Sequence, residues 1–272
     1  FRMAFKSLNS SKLRSFLTML GIIIGVSAVI MIVSLVGGMS KDITDQFEGM
    51  GTNLVNVMVM GRNSNRSFEP EDMQTLADEN SDSIAAVTPS VNVSLTAKYG
   101  TENMSTSGIG VNEYYQQIRN YEMNKGRFLE YVDVERRQQV CVIGSYVAEE
   151  LFAGADPIGK TMKLNGETYT VVGVLAEKSG AGEGSDDDVV ILPYTLAMRM
   201  GRNGRVSSYT VQAASADTTE QAIAVIENAL YQTFGSDNAY NVFNQAAMVE
   251  QLNEMTNTMS LVLGGIAAIS LL

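Results

Sequence analysis

Residues Leu17 to Gly37 form a run of 21 positions without one charged side chain. As a helix rising about 1.5 Å per residue it reaches roughly 31 Å, the thickness of a bilayer's hydrocarbon core. The flanks of this run are lopsided. Of the 19 basic residues, Arg2, Lys6, Lys12 and Arg14 precede it, while all 30 acids follow, beginning at Asp42. The positive-inside rule therefore places the N-terminus in the cytoplasm and the acidic part outside. A second apolar run opens at Leu261. The pattern predicts a chain that crosses the membrane, builds a large extracytoplasmic domain and returns.

A cleaved signal peptide is the competing reading of the first run. Signal peptides carry shorter apolar regions, about 7–15 residues, and end in an Ala-x-Ala-like site. This run is longer and ends Val36-Gly37-Gly38-Met39. Within it, Gly21 and Gly25 make a G-x-x-x-G pair, which lets a second helix approach closely. Ahead of it, Phe1, Ala4, Phe5 and Leu8 recur at helical spacing and predict an amphipathic segment over 1–16.

Composition removes several kinds of chemistry. Histidine is absent, which excludes Ser–His and Cys–His nucleophiles and the usual zinc sites within this chain. The single cysteine, Cys141, permits no intrachain disulfide and lies in the apolar stretch Val140–Ile143, which reads as a buried strand. The acidic exterior speaks against nucleic acid, because phosphate binding needs clustered Lys and Arg. Thirty acids always allow carboxylate pairs, so they offer no evidence for a glycosidase.

Past the first span, Met39, Ile43, Phe47 and Met50 keep helical spacing with charges between them, predicting a stalk over 39–51. The segment 52–243 reads as an α+β domain. Strands are expected at Leu54–Val59, Ser90–Tyr99, Gln138–Ile143, Thr161–Leu164, Glu167–Leu175, Val189–Leu192 and Val206–Ala213, with a further strand reaching Val111 after a turn at Gly100–Ser107. Helices are expected at Pro70–Glu79, Glu113–Ile118, Pro193–Met200 and Thr218–Phe234, with Ala222, Val225, Ile226, Ala229 and Leu230 facing inward. Ser145 is expected to cap a helix over Tyr146–Phe152. Asn165-Gly166 between two strand patterns is a type I′ hairpin signal. On the return, Met248, Leu252, Met255 and Met259, followed by Val262 and Ile266, are spaced four and three apart. This is heptad spacing and predicts a second stalk over 244–260 that runs into a second span beginning at 261–272. The two stalks are expected to pack side by side.

Two motifs invite chemistry. Gly154-Ala155-Asp156-Pro157-Ile158-Gly159-Lys160-Thr161 fits the phosphate-loop pattern. A working phosphate loop lies between a strand and the N-terminus of a helix. Here a helix is expected before it and a strand after it, so ATP binding at this segment is rejected. Asp186-Asp187-Asp188 could hold a divalent cation but lacks the other EF-hand ligands. A solvated acidic loop is expected. No catalytic, cofactor or metal site is assigned.

The ordered set of these pieces resembles a known family. Gly126-Arg127-Phe128 with Val132-Asp133-Val134 is similar to a step in the extracytoplasmic core domain of MacB/FtsX-like ABC transporter permeases. So are the stretch from Val140 to Leu175 with its Asp156–Lys160 turn, Asp188–Tyr194, and the entry Leu13–Thr18 with Gly21–Val26. The resemblance implies porter-like β-α-β units plus a smaller β-rich insert, held between two transmembrane helices with stalk extensions. It further implies a permease in the bacterial cytoplasmic membrane that works with a cognate ATPase, where ATP and Mg would bind, and with a second permease copy. An extracytoplasmic adaptor is a further partner it allows. The expected role is efflux of a drug, peptide or lipoprotein, or FtsX-like regulation of a cell-wall hydrolase. A two-span sensor and a membrane-anchored cell-wall enzyme are the rivals from other classes.

Overall fold

A computed structural model describes residues 12–48, 53–61, 66–178, 182–201 and 205–271. The chain divides into two units. One comprises Phe1–Gly49 and Ala246–Leu272, the other Met50–Gln245. In the first, helix α1 (Lys12–Glu48) runs unbroken for 37 residues, about 55 Å. Its segment Phe16–Gly38 is the one helical stretch among the described residues long and apolar enough to span a membrane. The expected amphipathic segment over 1–16 falls mostly outside the described residues.

The second unit holds two sheets. Its elements in chain order are β1 (Leu54–Val59), α2 (Pro70–Glu79), β2 (Ile84–Pro89), β3 (Val91–Tyr99), β4 (Glu102–Val111), α3 (Tyr115–Ile118), β5 (Met123–Gly126) and α4 (Tyr131–Glu135). There follow β6 (Val140–Ile143), α5 (Ser145–Phe152), β7 (Thr161–Leu164), β8 (Glu167–Leu175), β9 (Val189–Pro193), α6 (Tyr194–Met200), β10 (Ser208–Ala213), α7 (Thr219–Phe234) and β11 (Tyr240–Asn244). Helix α8 (Gln245–Leu271) then leaves this unit for the other.

The first sheet has the order β11-β1-β10-β2, with all neighbours antiparallel. It is two interleaved β-α-β units, β1-α2-β2 and β10-α7-β11. Helix α7 forms because its apolar residues recur every three or four positions. Ala222, Ile226 and Leu230 are buried against Val55, Val57 and Val211 of the sheet, with Val225 and Ala229 partly buried beside them. Gly235 ends it in the left-handed conformation, φ +67°. Helix α2 starts with Pro70 and a capping box between Glu69 and Asp72.

The second sheet has the order β5-β8-β6-β9-β4-β3-β7, and β7 pairs back onto β8. Six strands therefore close into a barrel, with β5 pairing the C-terminal half of β8 along the edge that β7 pairs at its N-terminal half. Closure removes the free edges that an open sheet would expose. The turn Asn165-Gly166 has φ +49° and +93°, as a type I′ hairpin requires. Asn165 also closes the ring. Its Oδ1 accepts from the Thr96 N–H at 2.8 Å and its Nδ2 donates to the Ser94 carbonyl at 3.2 Å. Alternation sorts β6: Cys141 and Ile143 join the cluster of Leu95, Met162, Leu164 and Tyr169, while Val140 and Val142 join the cluster of Tyr115, Tyr121 and Phe128. Burial pushes the Cys141 thiol up to about 12, so it stays a neutral core side chain. Helix α6 serves both sheets, giving Tyr194 and Met198 to one core and Leu196 and Ala197 to the other.

Several expectations change. The β-rich insert carries seven strands against four in the porter-like part, so it is the larger of the two and not the smaller. Strands β2, β5 and β11 and helix α4 were not anticipated. Ser145 is the first residue of α5, not its cap; Gly144 takes the cap position and Ser145 Oγ is buried without a partner. The reason is steric. A Cβ on Gly144 would stand 2.0 Å from the Asp187 carbonyl oxygen, so only glycine allows the 182–188 loop to lie against the start of α5.

Candidate functional site

A polar contact between the porter sheet and the helix that follows it starts on β1. Val55 and Val57 face the helices, so the intervening Asn56 projects from the opposite side of the sheet. Its register partners are Thr210 on β10 and Phe243 on β11. Asn56 Nδ2 donates to Gln245 Oε1 at 3.0 Å, and Thr210 Oγ1 donates to Asn56 Oδ1 at 3.5 Å. Gln245 is the first residue of α8 and is buried. A polar row thus crosses two strands of the porter sheet and ends on the return helix. An amide buried there is stable only while hydrogen-bonded, so the row holds the helix start to the sheet.

The residues singled out for helix packing lie on the two long helices. Gly21 is exposed, and a Cβ added to it would meet nothing within 4 Å; Gly25 is half-buried. Met39, Ile43 and Phe47 belong to α1, and their side chains, like that of Leu252, lie outside the described ones. Met248, Met255 and Met259 are exposed on α8. Methionines left uncovered along one helix offer a soft, adaptable surface.

Gly154–Thr161 connects the end of α5 to the start of β7. A strand, not a helix, follows it. Gly159 donates to the Val171 carbonyl at 2.8 Å and Lys160 to that of Pro157 at 3.0 Å, closing a turn. Among the described residues no group of three or more His, Cys, Asp or Glu could hold a metal.

The Gly126-Arg127-Phe128 and Asp133 step is a clamp. Arg127 Nη1 and Nη2 donate to Asp133 Oδ2 and Oδ1 at 2.6 and 3.2 Å, a two-pronged pair, and Nη1 also donates to the Phe128 carbonyl at 2.9 Å. Asp133 Oδ2 accepts from the Glu130 N–H at 2.9 Å as well, capping α4. Burial alone would raise the Asp133 carboxyl, but the hydrogen bonds from Arg127 and Glu130 outweigh it and hold it below the ordinary carboxylate value. The strand that carries the clamp can approach only glycines. A Cβ on Gly126 would stand 2.2 Å from the Val172 carbonyl oxygen, and one on Gly173 would stand 2.2 Å from that of Arg127.

The acidic loop departs most from expectation. Asp187 and Asp188 are 2% and 6% exposed, so this is not a solvated run. Asp187 Oδ1 accepts from the Lys178 N–H at 3.0 Å and Asp188 Oδ2 from the Gly184 N–H at 3.0 Å. These carboxylates organise the loop's own backbone. Asn56 and Gln245 were not singled out in the sequence, and the aspartate run 186–188 was read there as a solvated loop.

Comparison with known proteins fits this architecture. Residues 15–229 match the family model described as the MacB-like periplasmic core domain. The chain is 30% identical over its whole length to a macrolide export ATP-binding/permease protein MacB of Wolinella succinogenes, and 35% identical over 98% of its length to one of Bdellovibrio bacteriovorus. It spans 43% of the length of each of these relatives. Among solved structures, the periplasmic region of MacB from Actinobacillus actinomycetemcomitans superposes with a TM-score of 0.62 at 22% identity, covering 78% of this chain and 98% of that one. The extracellular domain of the noncanonic ABC-type transporter YknZ from Gram-positive bacteria gives a TM-score of 0.60 at 24% identity, covering 71% of this chain and all of that one. The chain therefore belongs to the MacB-like periplasmic core domain family of ABC transporter permeases.

Proposed function

We propose that the chain is the part of an ABC permease that carries motion from the membrane to an extracytoplasmic domain. ATP binding and hydrolysis on a cognate cytoplasmic ATPase, which holds the ATP and Mg, would shift the membrane helices. The porter sheet would then move with them and drive export of a drug, peptide or lipoprotein. The N-terminus is cytoplasmic and residues 39–260 are extracytoplasmic in this reading. A second permease copy completes the unit, with lipid around the spans, an extracytoplasmic adaptor where one is used, and no nucleic acid.

The observation that carries the reading is the continuity of α1. It extends ten residues past the apolar stretch that ends at Gly38, with no break before Glu48. A helix that needed only to anchor the domain could stop at the membrane surface. A continuous helix transmits displacement, because packed helices shift between discrete arrangements and do not bend freely. Gly21 and Gly25 would seat a neighbouring span, and the stalk residues Met39, Ile43 and Phe47 would face Met248, Leu252, Met255 and Met259.

The test is reconstitution of the complete protein with its ATPase in proteoliposomes. The proposal expects ATP-dependent movement of substrate and an ATPase rate that changes when the extracytoplasmic domain is deleted. An ATPase rate indifferent to that deletion, with no transport, contradicts it.

A further inference from the structure

The barrel and the porter sheet meet at a joint that leaves little backbone to turn on. The outgoing passage is a single residue. Strand β2 ends at Pro89, β3 begins at Val91, and the Ser90 N–H between them donates to the Ser208 carbonyl at 2.8 Å. Ser208 opens β10, the strand on which the chain re-enters the porter sheet. A hinge needs a few loop or element-terminal residues free to change φ and ψ. Here the outgoing passage has one, and it is tied to the returning strand. Val91, the next residue, packs against the cores of both sheets.

Two further contacts close the joint. Asn112 follows the end of β4 and is 8% exposed. Its Nδ2 donates to the Val87 carbonyl at 2.9 Å and its backbone N–H to Thr88 Oγ1 at 3.4 Å, both on β2. Val87 and Thr88 are themselves buried. A barrel that tilted away from β2 would have to break these bonds in a dry interior, where unpaired polar groups are costly. Helix α6 holds the other side. Besides dividing its apolar residues between the two cores, it lies close on β4. A Cβ on Gly110 would stand 2.2 Å from Ala197 Cβ and 3.0 Å from Tyr194 Cα. Close-packed contacts of this kind transmit strain and do not yield to it.

We propose that this joint is rigid, so that the barrel moves with β2 and β10 as one body, and that Asn112 is its positioning residue. Displacement delivered to the porter sheet then reaches the barrel without being absorbed between them. The inference concerns the domain alone and stands whether or not the chain acts as a permease.

The test is a distance measurement between two spin labels in the full chain in lipid nanodiscs. The labels are carried by Lys163→Cys on β7 and Glu227→Cys on α7, both at exposed positions. Cys141 is fully buried and takes no label. A single narrow distance distribution is expected. Asn112→Ala is expected at least to double its width, while amide hydrogens in β6 and α7 stay protected from exchange. That combination separates a loosened joint from a general loss of stability. A broad or two-peaked distribution in the doubly labelled parent overturns the proposal. So does an unchanged width in Asn112→Ala, or a widening that comes with loss of protection in both cores. Should Asn112→Ala fail to fold, the parent's distribution decides alone.

Discussion

The porter sheet and the barrel are made of similar residues but are held together in different ways. The porter sheet is open, its order β11-β1-β10-β2 leaving two edges, and it depends on α2 and α7 to cover one face. The barrel closes on itself and is pinned by turn geometry, by glycines that admit other backbone, and by the Arg127–Asp133 clamp. The difference matters because of where the chain enters. In chain order the two long helices adjoin the porter sheet, α1 ahead of β1 and α8 directly after β11, while the barrel is inserted between β2 and β10. In the proposed mechanism the element that would receive motion is the one held by helix packing, and the element it would carry is the one closed on itself.

That contrast can be broken at defined points. The largest effect should come from the porter core. Ile226→Ala leaves a cavity beneath the sheet, and a loss of about 4 kcal/mol is expected, read by thermal unfolding of the full chain. Hydrogen exchange should rise in β1, β10 and β11 and leave β6 and β9 protected. Next is the clamp. Asp133→Ala removes the two-pronged pair and the α4 cap together, for about 3 kcal/mol, with exchange rising in β5 and α4.

The same carboxyl predicts a pH dependence. Its folded pKa is depressed below the ordinary carboxylate value, so the stability it contributes is present above about pH 4 and is lost as pH falls through the folded pKa. Asp133→Asn should flatten the acid limb of a stability–pH profile. Smaller again, Gly173→Ala forces the Arg127 carbonyl away and should cost about 2 kcal/mol. Asn165→Ala should cost about 1 kcal/mol by cutting the two bonds that tie the β7–β8 turn to β3. If Asn165→Ala instead opened the porter strands first in hydrogen exchange, the barrel would not be the self-contained part.

What could be read from the sequence follows the range of the forces involved. The hairpin at Asn165-Gly166, the inward face of α7, strand β1 and the start of α8 after Asn244 are local patterns, and each lies where periodicity put it. Strand β2, IAAVTP, has small residues without alternation and ends in proline, and β11, YNVFN, is framed by asparagines, so neither carries a strand signal. Barrel closure rests on β3 meeting β7 across more than sixty residues, which no local pattern encodes. The clamp was visible only as a resemblance, with no hint that Arg127 would reach Asp133. The aspartate run misled because three adjacent carboxylates read as solvated, whereas two of them fold inward to satisfy backbone N–H groups.

The central claim is that the stalks of α1 and α8 act together as a lever on the porter sheet. The direct measurement is a set of cysteine pairs across the two stalks, at positions 39, 43 and 47 against 248, 252 and 255, in the complete protein with its ATPase. Within this chain Cys141 is fully buried and does not compete for the cross-link. The account predicts that locking the stalks stops transport and uncouples ATP hydrolysis from it, with recovery on reduction. Locked stalks with undiminished transport and coupled hydrolysis would contradict it.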